Sequence, residues 1–186
     1  MTRSIKRCRV KHIKHRSTLL LLALIISCGS DSNAKMKASS EYLYDNEIFN
    51  PEISIYQEEY LVISSTSRKL TKNEGKDALL TGEVVSKFFN EDGSHISTLY
   101  SDSAIVESVS NNLRAFGNVT VISDSGYTLK SDQILWDNQY KLITSEDSVL
   151  LTDKSKNIIK GIGFESDMDL TNYKIYKFIG NFKETE

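Results

Sequence analysis

The stretch that decides the fold is Gly117-Asn-Val-Thr-Val-Ile-Ser-Asp-Ser-Gly-Tyr-Thr-Leu-Lys-Ser-Asp-Gln-Ile-Leu-Trp-Asp137. Apolar and polar residues alternate along it in short runs, and the cluster Ser123-Asp-Ser-Gly126 interrupts the alternation. A period of two is typical of a β-strand with one buried face, and Gly, Asp and Ser favour turns. The stretch therefore predicts antiparallel strands joined by a tight turn.

The same pattern continues on both sides of this stretch. Beyond residue 50 the sequence has one proline, Pro51, and no long apolar stripe with the period of a helix. It therefore predicts an all-β domain. Candidate strands cover residues 58–65, 79–89, 95–101, 103–109, 113–123, 126–131, 133–137, 140–145, 147–152, 157–165 and 173–179.

The dipeptide Ser-Asp recurs at Ser101-Asp102, Ser131-Asp132 and Ser166-Asp167, and each copy precedes an alternating apolar segment. A unit of a few short strands cannot bury its apolar face alone, so such units are stable when they stack. The repeat predicts an elongated, rolled antiparallel sheet.

The N-terminus has the composition of a lipoprotein signal peptide. Seven basic residues and no acidic residue lie within residues 1–27, and the apolar run Leu19–Ile26 precedes Ser27 and Cys28. This run is too short for a membrane span, which needs about 20 residues, but it suits a signal peptide. Ile25-Ile-Ser-Cys28 resembles the lipobox of bacterial lipoproteins, which makes Cys28 the predicted lipidation site. The alternative is an ordinary secretory signal. We interpret residues 28–47 as a lipidated N-terminus and flexible tether.

The charge and the cysteine content exclude some classes of function. Without residues 1–27 the chain keeps 16 basic and 25 acidic residues, a net charge of about −9. An acidic chain repels nucleic acid, so we expect no nucleic-acid partner. Cys8 lies in the signal peptide and Cys28 would carry lipid, so the domain would hold neither a disulfide nor a free thiol.

The alternation also identifies an apolar interior. Side chains two residues apart on a strand share a face. The residues expected inside are Val119, Val121, Leu129, Ile134, Trp136, Val149, Ile162 and Phe164. Two interpretations are open: a closed core filled by these side chains, or a groove that opens for acyl chains.

Several segments together resemble the periplasmic lipopolysaccharide-transport family LptC. The resemblance covers about residues 51–178. It is carried by Phe88-Phe-Asn-Glu-Asp-Gly-Ser94, Leu99-Tyr-Ser-Asp-Ser-Ala104, the stretch 117–137, Ile143-Thr-Ser-Glu-Asp-Ser-Val149 and Ile159-Lys-Gly-Ile-Gly-Phe-Glu-Ser-Asp-Met-Asp-Leu170.

The resemblance implies a single twisted, open β-jellyroll over residues 48–181, with lipid A chains in the groove. It also implies docking by strand addition: the N-terminal edge would meet an inner-membrane ABC transporter, and the C-terminal edge a periplasmic bridge protein. Tyr173, Ile175 and Phe178 lie on the last strand and mark the second edge. The best-known members have a transmembrane helix where this chain has a lipobox.

The function expected from these observations is lipopolysaccharide export by a lipid-anchored protein at the periplasmic face of the inner membrane. Two alternatives stay open: a soluble-type bridge protein of the same pathway, and a structural β-solenoid surface lipoprotein.

Catalysis has little support in the sequence. His95 is the one histidine beyond residue 27, and no nucleophile turn of the form G-x-S-x-G occurs. We expect no enzymatic activity, no metal and no cofactor.

Overall fold

A computed structural model describes residues 46–183, and the regular elements of this part of the chain are all β-strands. No helix within it is long and apolar enough to cross a membrane. The strands are β1 (Asn46–Phe49), β2 (Glu52–Gln57), β3 (Tyr60–Thr66), β4 (Lys69–Lys72), β5 (Ala78–Phe89), β6 (His95–Val106), β7 (Leu113–Ser123), β8 (Thr128–Asp137), β9 (Leu142–Thr152), β10 (Asn157–Asp167) and β11 (Tyr173–Lys183).

These strands form one antiparallel sheet. From β5 to β11 each strand pairs with the next, as hairpin connections favour. At the other end the sheet divides, because β5 pairs with β4 through residues 79–81 and with β3 through residues 85–88. β1 extends the first branch and β2 the second.

A line of β-bulges crosses the middle of the long strands. The pairing register shifts between Thr81 and Val84 on β5, and at matching places on the neighbouring strands up to β10. A bulge adds an unpaired residue and bends its strand. At Gly117 φ is +75°, and a Cβ there would lie 2.6 Å from Asp102 Oδ2, so both the backbone and the space require glycine.

The bulges fold the sheet onto itself. Phe88 belongs to one end of the strands, whereas Trp136 aligns through Leu113 and Val106 with Ala78 at the other end. In a flat sheet the ten residue-to-residue steps from Ala78 to Phe88 would span about 33 Å. The ring centroids of Phe88 and Trp136 are nevertheless 5.7 Å apart. The two halves of the sheet therefore lie face to face, as in a jellyroll.

We name the two halves by their strand segments. The first layer consists of β2, β3 and residues 84–89, 95–100, 119–123, 128–131, 148–152, 157–162 and 177–183. The second layer consists of β1, β4 and residues 78–81, 103–106, 113–116, 133–137, 142–145, 164–167 and 173–176. The hydrophobic core lies between the layers and receives side chains from both.

The prediction of an all-β fold is confirmed, but several strand boundaries were wrong. β6, β8 and β9 are continuous strands that were predicted as two strands each. The predicted breaks coincide with the bulges, where the alternation changes phase without the strand ending. Ser101-Asp102 and Ser131-Asp132 mark two of these places, whereas Ser166-Asp167 lies at the end of β10.

Candidate functional site

The interior contains seven of the eight side chains expected there. Each is at most 1% exposed, and all belong to one continuous core cluster: Val119, Val121, Leu129, Ile134, Trp136, Val149 and Phe164. They pack against one another and against residues of the opposite layer. The interior is therefore filled by side chains in this structure, and a guest molecule would have to separate the layers.

Ile162 does not lie in the interior, contrary to the expectation. Its side chain is 38% exposed, while Gly161 and Phe164 on either side are buried. The register shifts between Ile162 and Phe164, and Gly163 there has φ of +74°. This bulge inserts a residue, so Phe164 returns to the interior three residues after Gly161 instead of two. The sequence-based alternation assumed an unbroken strand.

Other interior residues were not named from the sequence. These fully buried side chains include Ile63, Leu80, Phe88, Leu99, Leu113 and Ile143. Their strands show the same alternation, so the signal was present in the sequence. What the sequence could not indicate is that Phe88 would contact Trp136 across the layers.

The interior also contains buried serine hydroxyls. Ser65 Oγ lies 2.7 Å from Ser86 Oγ, and Ser131 Oγ lies 3.0 Å from Ser145 Oγ. Such pairs satisfy hydroxyl groups that would otherwise be costly to bury. Ser97 Oγ is buried with no hydrogen-bond partner among the described residues. The lining is thus mostly aliphatic and aromatic, with small neutral polar groups.

Two rows of turns meet where the layers close, along a line that we call the seam. The first-layer row contains turns 90–94, 124–127 and 153–156, and the second-layer row contains turns 107–112, 138–141 and 168–172. Across the seam, Ser125 Oγ donates to Asp169 O at 3.0 Å, and the rings of Tyr127 and Tyr173 lie 6.4 Å apart.

Trp136 is covered at the seam by Met168 and Lys141. Trp136 Nε1 donates to Met168 Sδ at 3.1 Å, and Lys141 Nζ lies 5.2 Å from the centre of a Trp136 ring. Burial lowers the pKa of Lys141 from its ordinary value, against the opposite influence of Asp137 and of Glu91 across the seam. An ammonium group therefore sits where the core meets solvent.

Two clefts open along the seam. One has a volume of about 530 Å³ and is lined by Tyr60, Leu61 and Phe89 from the first layer, with Lys141 and Met168 opposite. Another, of about 420 Å³, lies between β2 and the residues of β4 and β6. The two layers are therefore less tightly closed at these two places.

The C-terminal edge is one long strand, β11, that spans both layers. Ile175 packs against the core, and the ring of Tyr173 stacks on Phe164 with 6.3 Å between centroids. Phe178 is 63% exposed. The three residues expected at this edge thus lie on an edge strand, and their docking role stays a prediction.

The N-terminal edge consists of two short strands, β1 and β2, one in each layer. Neither was predicted from the sequence, nor was β4. Ile48, Phe49 and Tyr56 are exposed large side chains on these edge strands. Exposed backbone and apolar side chains at an edge offer a template for an added strand.

His95 has partners that the sequence did not indicate. Its Nδ1 lies 2.9 Å from Asp124 Oδ2, and its Nε2 lies 2.9 Å from Thr98 Oγ1. Thr98 lies within β6, so the two hydrogen bonds of the His95 ring link the turn at Asp124 to this strand. Within residues 46–183, no group of three or more His, Cys, Asp or Glu residues is placed to hold a metal ion.

Cys28, the signal peptide and most of the expected tether lie outside the described residues. Their roles stay predictions from the sequence.

Comparison with known proteins identifies the domain. A family described as OstA-like protein matches residues 57–176, nearly two thirds of the chain. The match includes β3 to β10, both rows of turns and most of the interior. No curated protein matches the chain. The match agrees with the resemblance to LptC and with the folded antiparallel sheet, and the chain therefore belongs to the OstA-like jellyroll family.

Proposed function

We propose that this protein is a membrane-anchored periplasmic component of lipopolysaccharide export. It accepts lipopolysaccharide from an inner-membrane ABC transporter and passes it to a downstream jellyroll bridge protein. The observation that carries the proposal is membership in the OstA-like family, whose members take part in transport and binding, combined with a long apolar interior.

The interior suits acyl chains because its lining is hydrocarbon with a few neutral hydroxyl groups. Each CH₂ that leaves water is worth about 0.8 kcal/mol, so acyl chains favour such a lining over solvent. Transfer from a bilayer core is close to neutral, because both environments are apolar. A carrier that must also release its cargo benefits from this balance.

Entry of lipid requires the two layers to part along the seam. Phe88 and Trp136, one in each layer, would then separate, and the acyl chains would replace the contacts between them. The backbone ladders need not break, because neighbouring strands stay paired within each layer. Lys141, at the boundary between core and solvent, is placed where it could pair with a phosphate of the cargo.

The two edges of the sheet support the proposed transfer of lipopolysaccharide from the transporter to the bridge protein. In this proposal the transporter adds a strand at β1 or β2, and the bridge protein adds a strand at β11. Because β11 continues through both layers, a partner that pairs with its full length would extend both layers at once. Tyr173, Ile175 and Phe178 would lie at that junction.

The anchor has its own test. Cys28→Ala should leave an unprocessed precursor that incorporates no labelled fatty acid, whereas Cys8→Ala should be processed normally. Labelling of the Cys28→Ala variant would refute lipidation at this residue.

Site-specific photo-crosslinking tests the lipid path. A photoreactive amino acid at Val121 or Leu129 should form lipopolysaccharide adducts in a reconstituted transporter supplied with ATP. The same amino acid at Gln133 or Thr144, which lie on the outward face of the second layer, serves as the control. Adducts confined to the interior pair, and dependent on ATP, are the expected result.

A filled interior is also what a structural β-solenoid lipoprotein would have. In that case no position should crosslink, and ATP should make no difference. Equal labelling at interior and outward positions would likewise contradict an internal path.

A further inference from the structure

The outward face of the first layer has an unusual charge. Strand residues that alternate with the core residues point outward. On β5 to β11, none of the described outward residues of this layer is Asp or Glu, although residues 28–186 carry a net charge of about −9. The basic residues of this face are Lys87, Lys130, Lys160 and Lys177.

Three of these lysines have no acidic partner among the described residues. In the part of the chain that the structure describes, Lys87, Lys130 and Lys160 form no salt bridge, and all three are exposed. The second layer differs, because Lys69 pairs there with Glu47, and the Arg114 guanidinium pairs with Glu107. The part of the first layer formed by β5 to β11 therefore presents uncompensated positive charge, and Glu52 of β2 lies on the same outward face at its edge.

Large apolar side chains stand between the lysines. Tyr100, Ile122 and Leu150 are 43%, 45% and 40% exposed, and the bulge in β10 adds Ile162 to the same face. Leu150 lies on β9 between Lys130 of β8 and Lys160 of β10. These three residues line a depression of about 390 Å³, whose rim also includes Asp132 at the bend.

We propose that this face, defined by Lys87, Tyr100, Ile122, Lys130, Leu150 and Lys160, docks on the surface of an anionic membrane. Lysines next to scattered aromatic and aliphatic side chains suit a surface with negative headgroups and an apolar layer beneath them. The depression between Lys130 and Lys160 would receive a headgroup phosphate.

A membrane fits this face better than an acidic protein. Protein interfaces favour Arg and are depleted of Lys, and the face contains no arginine. The inference also rests on the proposed anchor at Cys28. For the tether expected from the sequence over residues 28–47, a random coil of 20 residues would span roughly 25 Å, which would keep the domain within reach of the bilayer.

The experiment uses the purified full chain, with mass spectrometry to establish whether Cys28 carries lipid. A single added cysteine, at Thr120 on the docking face or at Thr144 on the second layer, carries a fluorophore. Vesicles contain phosphatidylcholine alone or mixed with phosphatidylglycerol, and a headgroup nitroxide quenches nearby fluorophores.

With anionic vesicles, quenching at Thr120 should exceed quenching at Thr144 several-fold, and this difference should vanish with phosphatidylcholine alone. In the triple variant Lys87→Gln, Lys130→Gln, Lys160→Gln this difference in quenching should disappear. A loss of about 5-fold in membrane affinity for each lysine amounts to roughly 100-fold weaker docking. The control variant Lys72→Gln, Lys76→Gln, Lys174→Gln removes equal charge elsewhere and should keep the difference.

Equal quenching at the two positions, or no dependence on phosphatidylglycerol, would overturn the proposal. If the lysine variant instead weakens capture of an acidic protein while vesicles make no difference, the face belongs to a protein partner. Failure of lipidation alone would contradict the anchor, but a Thr120 preference in that unlipidated protein would still support the docking face.

Discussion

The two ends of the sheet are built differently. At the C-terminal end one eleven-residue strand, β11, closes both layers and places Ile175 against the core. At the N-terminal end the sheet divides into two branches, each finished by a strand of four or six residues, with a cleft between β2 and the residues of β1 and β4. The comparison teaches that β11 joins both layers through a single edge strand, whereas at the N-terminal edge β2 reaches the core through Ile55 and β1 has no buried side chain.

Removal of β11 should have the largest effect. Deleting residues 172–186 removes Tyr173 and Ile175 and exposes Phe164, so we expect a loss of about 3–5 kcal/mol in the free energy of unfolding. Replacing the exposed Phe49 of β1 by Ala should change it by about 0.5 kcal/mol or less. Urea denaturation measures both. Comparable losses would mean that the two edges are equally coupled to the core.

A substitution at Gly161 sharpens the comparison without removing a strand. A Cβ there would lie 2.2 Å from Ile175 Cγ2 and 2.9 Å from the carbonyl oxygen of Lys177, so Gly161→Ala must push β11 away. We expect a cost of about 1–3 kcal/mol and faster amide exchange along β11.

Gly75→Ala is the matched change near the other end. Gly75 has φ of +68° but no atom within 4 Å of the added Cβ, so only the backbone cost of about 1 kcal/mol applies. Thermal unfolding with hydrogen exchange compares the two variants. A smaller effect at Gly161 than at Gly75 would contradict the close packing of β11.

Alkaline pH should loosen the C-terminal edge. Burial, with smaller contributions from Tyr127 and Asp153, raises the pKa of Tyr173, and a hydrogen bond to Glu165 raises the pKa of Tyr176. The folded state holds these phenol protons more tightly than the unfolded chain does, so the protonated phenols contribute to the free energy of unfolding. This contribution is fully present below about pH 10 and is lost as the pH rises through the pKa values of the folded state. Amide exchange at high pH, corrected for its intrinsic rate, should increase in β11 before it increases in β7. Phe substitution at Tyr173 should remove part of the effect, and an unchanged profile would exclude Tyr173 as a cause.

The smallest effect is expected at the N-terminal edge. Lys69 of β4 pairs with Glu47 of β1 in partly exposed surroundings, and such pairs contribute about 1 kcal/mol or less. Lys69→Gln should therefore leave the unfolding midpoint almost unchanged, and the difference should disappear in high salt. A larger, salt-independent loss would show that β1 is anchored more firmly than its exposure indicates.

The sequence predicted the strands between residues 78 and 167 because each has a buried face and a turn on either side. It predicted β11 from its aromatic and aliphatic residues, although the described side chains of this strand are not buried. It did not predict β1, β2 or β4, which have only four to six residues, too few to establish an alternating pattern. It could not predict the fold of the sheet, because a bulge is a local change of phase while the contact of Phe88 with Trp136 depends on several bulges in register. Ile162 was misplaced for the same reason: alternation holds only as far as the next bulge.

The aligned bulges determine how this molecule can move. The long strands run through the bend into both layers, so the layers share their backbones and cannot slide past each other. The motion that remains is a hinge rotation of one layer relative to the other about the line of bulges. Opening of the interior is then a motion about one fixed axis. The stiffness of the backbone at the bulges sets the free energy needed to admit a guest molecule of any kind.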